Sequence, residues 1–304
     1  MKISQYRKKG IALIFLAKKF YLLTIGDRVP TVSELCEEIQ MSRGTIQSAL
    51  EILKNDNVIS TVSKGKMGTF ITSINKEQLV TYLDNKVLVG AMPLPYTKHY
   101  EGLATSLYKA FESQTINLNL AYVSGGLNRS DGLLNDRYDF IVTSGLTADQ
   151  LIKENNVSVA CTLPEKTYLS EHVVLFNKDS DLKLHDGMRV GIDSYSLDYS
   201  ILTSKFFKGY KIEKIESPYN QIVQKIVNKE IDAAIWNKDE VKSKNSPVAY
   251  REINGPLVER GSQAVILVKK NNVFVKSILS TTIDYKNLVT VQEGVINETR
   301  LPRY

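Results

Sequence analysis

Two cysteines, Cys36 and Cys161, are the only thiols in this chain of 304 residues, too few for a disulfide framework or a thiolate metal cluster. Both fall beside apolar stretches and are expected as small core residues. The three histidines, His99, His172 and His185, match no metal spacing, and HExxH, CxxC and the EF-hand loop are missing, so no metal is expected. Also missing are GxSxG, a P-loop and a GxGxxG after the first strand; the chain therefore lacks common signatures of acyl transfer and nucleotide chemistry, although a triad is built in space and not in sequence. No cofactor is expected. No run reaches the roughly 18 apolar residues of a membrane span, so no membrane partner is expected. Residues 10–17, GIALIFLA, follow Arg7-Lys8-Lys9 as in a secretory leader, but Lys18-Lys19 come next and a small-residue cleavage site does not. The run reads as a helix whose Ile11, Ile14, Phe15 and Leu22 pack on the helices that follow, and a cytoplasmic location is expected.

What is present is ordinary for a folded protein: 43% hydrophobic and 24% charged residues, long enough for a small domain and a larger one. The formal charge is +6. Residues 1–84 hold 12 basic and 8 acidic residues against 27 and 25 in the remainder, so the positive excess is denser in the leading quarter. That bias agrees with nucleic-acid binding there without establishing it.

Pro30 to Thr72 carries the strongest local pattern. Pro30-Thr31 with Glu34 gives a helix start with a capping box, and Leu35 and Ile39 give that helix one apolar side. Gln40-Met41-Ser42 is a three-residue break, the length of a helix-turn-helix corner. Ser42 is placed to cap a second helix in which Ile46, Ala49, Leu50 and Leu53 recur at spacings of three and four and face the core. Two extended runs follow, Val58-Ile59 to Val62 and Thr69 to Ile71, with Ser63–Gly68 as a hairpin tip. The order predicts a winged helix-turn-helix. Arg43 is the first choice for a base or phosphate contact, Thr45 and Gln47 for readout, and Lys64 and Lys66 for the phosphate backbone or minor groove. Ser42 and Thr31, at the two helix starts, complete the DNA-facing set.

The segment resembles the DNA-binding domain of GntR-type transcription regulators in Pro30-Thr31, Ser42-Arg43, Ala49-Leu50 and Gly68-Thr69-Phe70. The resemblance implies double-stranded DNA as a partner. The family commonly has arginine where this chain has Ser33 and Gln47, which implies weaker binding, more sequence-selective binding or a diverged operator. A winged helix used for protein contacts is the plain structural alternative.

Residues 74–86 read as a connector helix through Leu79, Tyr82 and Leu83, whose apolar side packs on its own domain or on a second subunit. From Val87 strands and helices alternate in two open α/β series, as in a mostly parallel sheet with helices on its faces. Extended runs at 172–176 and 264–268 predict two lobes joined by two crossovers, with the first lobe at 87–177 and 264–304 and the second at 178–263. The tail from Leu288 reads as a last strand or a segment packed across the domain. The expected architecture is thus α/β: a winged helix-turn-helix at 1–73 and a two-lobed domain at 87–304 similar to type II periplasmic binding proteins. With Tyr138-Asp139-Phe140-Ile141-Val142 and Glu230-Ile231-Asp232-Ala233-Ala234-Ile235 each closing a unit, nearly the whole chain resembles the YhfZ family of regulators. That resemblance implies transcriptional control.

In open α/β sheets, ligands bind beyond the carboxyl ends of the strands. The rule nominates Tyr96, Ser124, Gly125, Gly126, Ser144, Asp193, Ser194, Ser196, Tyr219 and Trp236 for a small-molecule effector. Hydroxyls and helix-start amides suit an anionic metabolite, Asp193 an amine, and the aromatic rings its organic part. The expectation is a homodimeric regulator, with recognition helices about 34 to 36 Å apart, in which a small polar, anionic ligand closes the lobes. The rival readings are a small-molecule enzyme or ligand-binding protein with a fused helical domain, and a partner-binding module.

Overall fold

The computed structural model describes residues 2–84, 86–241 and 246–304; Met1, Asn85 in the expected connector and residues 242–245 in the expected second lobe lie outside them. The chain divides into two compact units, Met1–Leu88 with Ser113–Asn117, and Val89–Glu112 with Leu118–Tyr304.

In the first unit α1 (Lys2–Tyr21) packs on α3 (Arg43–Asn55). Its buried side is Ala12, Leu16, Ala17 and Phe20. The sequence places a different face inward: Ile11 is 45% exposed, Leu22 is exposed, and Ile14 and Phe15 are half-buried. The buried side thus combines two alanines with two of the largest fully buried side chains, Leu16 and Phe20, set one position round the helix from the predicted face. Between these helices lies α2 (Val32–Ile39), started by the expected capping box. Thr31 Oγ1 accepts from the Glu34 N–H at 3.2 Å, and the Glu34 carboxylate accepts from the Thr31 N–H at 2.6 Å. The Thr31 N–H first, and then the Thr31 side chain, hold the Glu34 carboxyl below its usual range. Gln40 ends α2 in the left-handed region at φ 56°, which turns the chain into α3.

Strands β1 (Ile59–Ser63) and β2 (Thr69–Ile74) form an antiparallel hairpin in which Ser63 faces Thr69. A 3-10 turn over Gly65–Met67 forms the tip. Gly68 closes it at φ 101°, where a Cβ would also lie 2.8 Å from Arg28 Nε. Helix α4 (Lys76–Thr81), capped by Asn75, packs on α1 and buries Leu79 and Val80. The apolar side of the connector therefore belongs to its own unit.

The second unit contains two five-stranded sheets. The first has the order β4-β3-β5-β12-β6 and is made of β3 (Val87–Met92), β4 (Asn117–Tyr122), β5 (Phe140–Ser144), β6 (Val157–Thr162) and β12 (Ala264–Lys269). Helices α5 (Lys98–Phe111), α6 (Gly126–Leu134) and α7 (Gly145–Glu154) alternate with these strands. The second sheet has the order β11-β7-β10-β8-β9, from β7 (His172–Asn177), β8 (Arg189–Ile192), β9 (Glu213–Glu216), β10 (Ala233–Asn237) and β11 (Val248–Glu252). Its helices are α8 (Leu197–Phe206), α9 (Ile222–Val227) and α10 (Pro256–Ser262). Helices α11 (Val273–Thr282) and α12 (Tyr285–Ile296) end the fold.

Both sheets are mixed. β12 runs antiparallel to β5 and β6, and β7 antiparallel to β10 and β11, because each of β7 and β12 is the first strand after the chain crosses between lobes. The run at 172–177, expected in the first lobe, is a central strand of the second. Its five residues from His172 to Phe176 are all buried. Burial of each large aliphatic contributes about 1.5–3 kcal/mol, which favours a strand covered on both faces and paired at both edges. The crossovers are therefore residues 163–171 and 253–263, not the extended runs that follow them.

The tail is α12, not a strand. Leu288, Val291, Gln292 and Val295, spaced three and four apart, are its buried side, and α12 packs on α5. Gln292 is tolerated there because its amide donates to His99 O at 2.9 Å and Thr167 O at 2.7 Å. The two lobes also share packing: Leu146 of α7 joins the second core and Leu197 of α8 packs on the first.

Candidate functional site

In the first unit the second helix of the helix-turn-helix presents its N-terminal end outward. Ser42, Arg43, Gly44 and Gln47 are exposed and Thr45 is half-buried, while Ile46, Ala49 and Leu53 behind them are core. Leu50, expected in the core, is half-buried. Thr31 is exposed at the start of α2. Ser42 occupies the N-cap position, yet its hydroxyl bonds the Thr45 hydroxyl at 2.8 Å in place of a backbone N–H, which couples two of the nominated side chains to each other. Lys64 and Lys66 are exposed on the hairpin tip; the Lys64 ammonium lies 4.9 Å above the Phe70 ring, which holds that arm against the wing.

In the second unit a cavity of about 70 Å³ opens between the lobes. Seven of the ten nominated effector residues line it: Tyr96, Ser124, Gly125 and Gly126 from the first lobe, and Asp193, Ser196 and Tyr219 from the second. Three do not. Ser144 is fully buried, and its hydroxyl caps α7 by accepting from Thr147 N–H while donating to Asp198 Oδ1 at 2.6 Å. Ser194 faces solvent and donates to Glu216 Oε1. Trp236 is core; its ring stacks on Tyr219, centroids 4.3 Å apart, and so supports the wall without forming it.

Besides Asp193, the charged residues lining the cavity, Arg129 and Asp198, lie outside the nominated set. Arg129, on the first turns of α6, is only 3% exposed. Its Nη1 donates to Val123 O at 2.7 Å and its Nη2 to Tyr168 OH at 3.0 Å, whereas Nε has no partner. From the other lobe Asp198 of α8 reaches in, and its Oδ1 accepts from Ser144 and from Thr147 Oγ1 at 2.7 Å. This carboxylate ties α8 to the start of α7 across the cavity floor. His172 lies beside it, with Nε2 3.9 Å from Asp198 Oδ2 and no hydrogen-bond partner on either ring nitrogen. Burial pushes the His172 pKa down against the pull of Asp198, so the imidazole is neutral near pH 7. Tyr100, Tyr168 and Tyr199 complete the walls. Burial also pushes the Asp193 carboxyl up, partly offset by the Tyr195 N–H it accepts.

A second tie between the lobes stands beside the cavity. Asp239 Oδ2 accepts from His99 at 3.0 Å and from Ser170 N–H at 2.8 Å, and Oδ1 from the Ser170 hydroxyl. Burial acts to raise this carboxyl, but the His99 and Ser170 donors hold it well below the usual carboxylate range. The carboxylate sits between serine and histidine, so His99 is not placed to take the Ser170 proton and the trio does not make an activated nucleophile.

Glu240, the next residue, accepts from the Tyr219 hydroxyl. Burial pushes its carboxyl from 4.5 up to about 7. A folded-state value above the unfolded one means that the stabilising contribution is full below the unfolded pKa and is lost as pH rises through about 7. His172, depressed by burial, works in the opposite sense and loses its contribution as pH falls through its range. The difference between parent and Glu240→Gln isolates the first effect. Their thermal midpoints are expected to diverge as pH is raised from about 5 to about 8, the variant gaining on the parent; parallel profiles would show that Glu240 is not held this way.

Arg129 and Asp198 escaped the sequence reading because they sit on helices, beyond the strand-end loops to which the nominations were confined. The one available signal was Gly125-Gly126: a helix starting there puts Arg129 three residues into it, but the sequence places that helix near 131–135.

The two units together define a helix-turn-helix protein with a C-terminal domain of the type II periplasmic-binding-protein fold. A family profile described as a helix-turn-helix domain matches residues 24–71, and one described as the YhfZ C-terminal domain matches residues 75–304. The uncharacterized protein YhfZ of Escherichia coli strain K12 is 30% identical over 309 residues, covering all of both chains. The chain belongs to the YhfZ family. The crystal structure of YhfZ from Shigella flexneri is 31% identical, with a TM-score of 0.64, over 75% of this chain and 97% of that one. An ancestral arginine-binding protein bound to arginine shares the fold at 12% identity and a TM-score of 0.52, over 70% of this chain and 98% of that one. Among the described residues no helix is long and apolar enough to cross a membrane.

Proposed function

We propose that this protein is a cytoplasmic transcription regulator that binds double-stranded DNA as a homodimer and responds to a small polar ligand carrying an anionic group. The observation that carries the DNA half is the division of α3 into a buried side, Ile46, Ala49 and Leu53, and an uncovered N-terminal end with Ser42, Arg43 and Gln47. Such an end suits base edges and phosphates in the major groove. The ligand half rests on the buried, partly unpartnered Arg129 guanidinium at a cavity between two lobes. The lobes transmit, on this reading, through the Asp198 and Asp239 ties, which ligand binding tightens or loosens. No catalytic step is proposed: the hydroxyls beside the two histidine–carboxylate pairs, those of Ser170 and of Ser144 and Thr147, bond the carboxylates.

Footprinting on the region upstream of the gene tests the DNA half. Protection of two half-sites about one helical turn apart, 10–10.5 base pairs between centres, or a multiple of it, is expected; uniform cleavage at all protein concentrations would refute it. Solution scattering of the full chain tests the ligand half, a decrease in radius of gyration with a bound ligand being expected and an unchanged profile contradicting closure.

A further inference from the structure

Purely anionic ligands fit the cavity poorly. Among the described residues Arg129 is the one cation lining it, whereas two carboxylates, Asp193 and Asp198, face the same space. His172 adds no positive charge, since burial keeps its ring neutral near pH 7. An anion without a compensating cation would neutralise the guanidinium and leave both carboxylates beside it with none, at a site where charges are weakly screened. A ligand bearing one group of each sign avoids this.

The polar atoms are sorted to match. On the first-lobe side, Arg129 Nε is buried without a partner, and α6 begins at Gly126 with leading amides that have no intrahelical acceptor, of which the Leu127 N–H donates to Tyr195 O at 3.4 Å and those of Gly126 and Asn128 remain for a ligand. Both are donors, and both favour an oxyanion. On the second-lobe side the available groups include three acceptors: Asp193, the Asp198 Oδ2 that faces His172 at 3.9 Å, and the one ring nitrogen of neutral His172 that carries no proton. Tyr199 and Tyr219, ring planes 9° apart, line the same space, and aromatic rings attract a cation. A void of about 70 Å³ holds, at roughly 10–15 Å³ per water, about five to seven water-sized groups.

Building on the proposed role of this cleft as a ligand sensor, we infer that its ligand is a small zwitterionic amino-carboxylate, its carboxylate on Arg129 and the start of α6 and its ammonium between Asp193, Asp198 and His172.

The test uses the full-length protein and the fluorescence of Trp236, the only tryptophan in the chain and stacked directly beneath Tyr219. The probes are glycine, L-alanine, β-alanine, L-serine and γ-aminobutyrate, each with its amine-free acid and its carboxyl-free amine, and with thermal shift as a second readout. At least one amino-carboxylate is expected to bind at least about 30-fold more tightly than both of its matched analogues, since a buried charge loses its partner in each. Arg129→Met is expected to weaken it by a similar factor. If that variant does not fold, Asp193→Asn decides: it should weaken the amino-carboxylate and leave the amine-free acid unchanged. Equal affinity for an amine-free acid and its amino counterpart would overturn the zwitterion while the sensor reading stands. Binding of none of the three sets would overturn both.

Discussion

Replacing Gly90 with valine is expected to lower the melting temperature by roughly 5 to 10 °C, an effect of several kcal/mol in a unit of this size. Gly90 lies in β3 and pairs with Phe140 at the start of β5. A Cβ there would stand 2.2 Å from Phe140 Cζ and within 2.7 Å of both Cε atoms, distances that no side chain tolerates. The ring cannot swing clear, because Phe140 is fully buried and its strand is paired with β3 and β12. The backbone is not in the left-handed region, so the cost is steric and not conformational. Phe140→Ala on the Gly90→Val background should therefore recover part of the loss, as expected of coupled neighbours. Gly10→Ala, inside α1 and with an added methyl that meets nothing within 4 Å, serves as a control and should leave the midpoint at or slightly above that of the parent. Calorimetry on the four proteins decides it, and an unchanged midpoint for Gly90→Val would show that the two strands are not in this register.

Arg43→Ala is expected to weaken binding to the cognate DNA by about 10- to 100-fold, with the melting temperature unchanged. The side chain is exposed at the first position of α3 and lends no packing to the core, so its loss should appear in binding and not in stability. The loss should be greater on the cognate duplex than on scrambled sequence. Lys66→Ala, on the exposed hairpin tip, should by contrast weaken all sequences evenly and reduce the salt slope by about one. An Arg43→Ala protein with full specific affinity would remove this side chain from the interface.

The winged helix was legible because its signals are local: the Thr31–Glu34 capping box, the three-and-four spacing of Ile46, Ala49 and Leu53, and the glycines of the hairpin tip each act within a few residues. The two α/β series were legible for the same reason. What escaped depends on partners distant in sequence. The strand at 172–177 reads as part of the first lobe because β11, which covers its other edge in the second, is half-polar in sequence and gives little strand signal. The tail reads as a last strand or a segment packed across the domain because Val289, Val291 and Val295 nearly alternate, whereas the helical side includes a polar residue, Gln292, whose burial is made acceptable by His99 O and Thr167 O. In α1, the buried face runs through Ala12, Leu16, Ala17 and Phe20, while the equally apolar Ile11 and Leu22 face solvent, a choice that depends on α3 and α4 and not on local spacing. The cleft shows the same division. Loop glycines, serines and tyrosines at strand ends could be named in advance, but Arg129, His172 and Asp198 come together only when two lobes and a crossover meet.

Binding of the full-length protein to a labelled duplex from its own upstream region, followed by fluorescence anisotropy across salt concentrations, tests the central claim most directly. Two chains per duplex are expected, with affinity falling by about 10³ to 10⁵ between roughly 50 and 200 mM salt if six to ten phosphates are neutralised. A folded sample that leaves the anisotropy unchanged at the lowest salt, both alone and with an extract of cell metabolites, would contradict it.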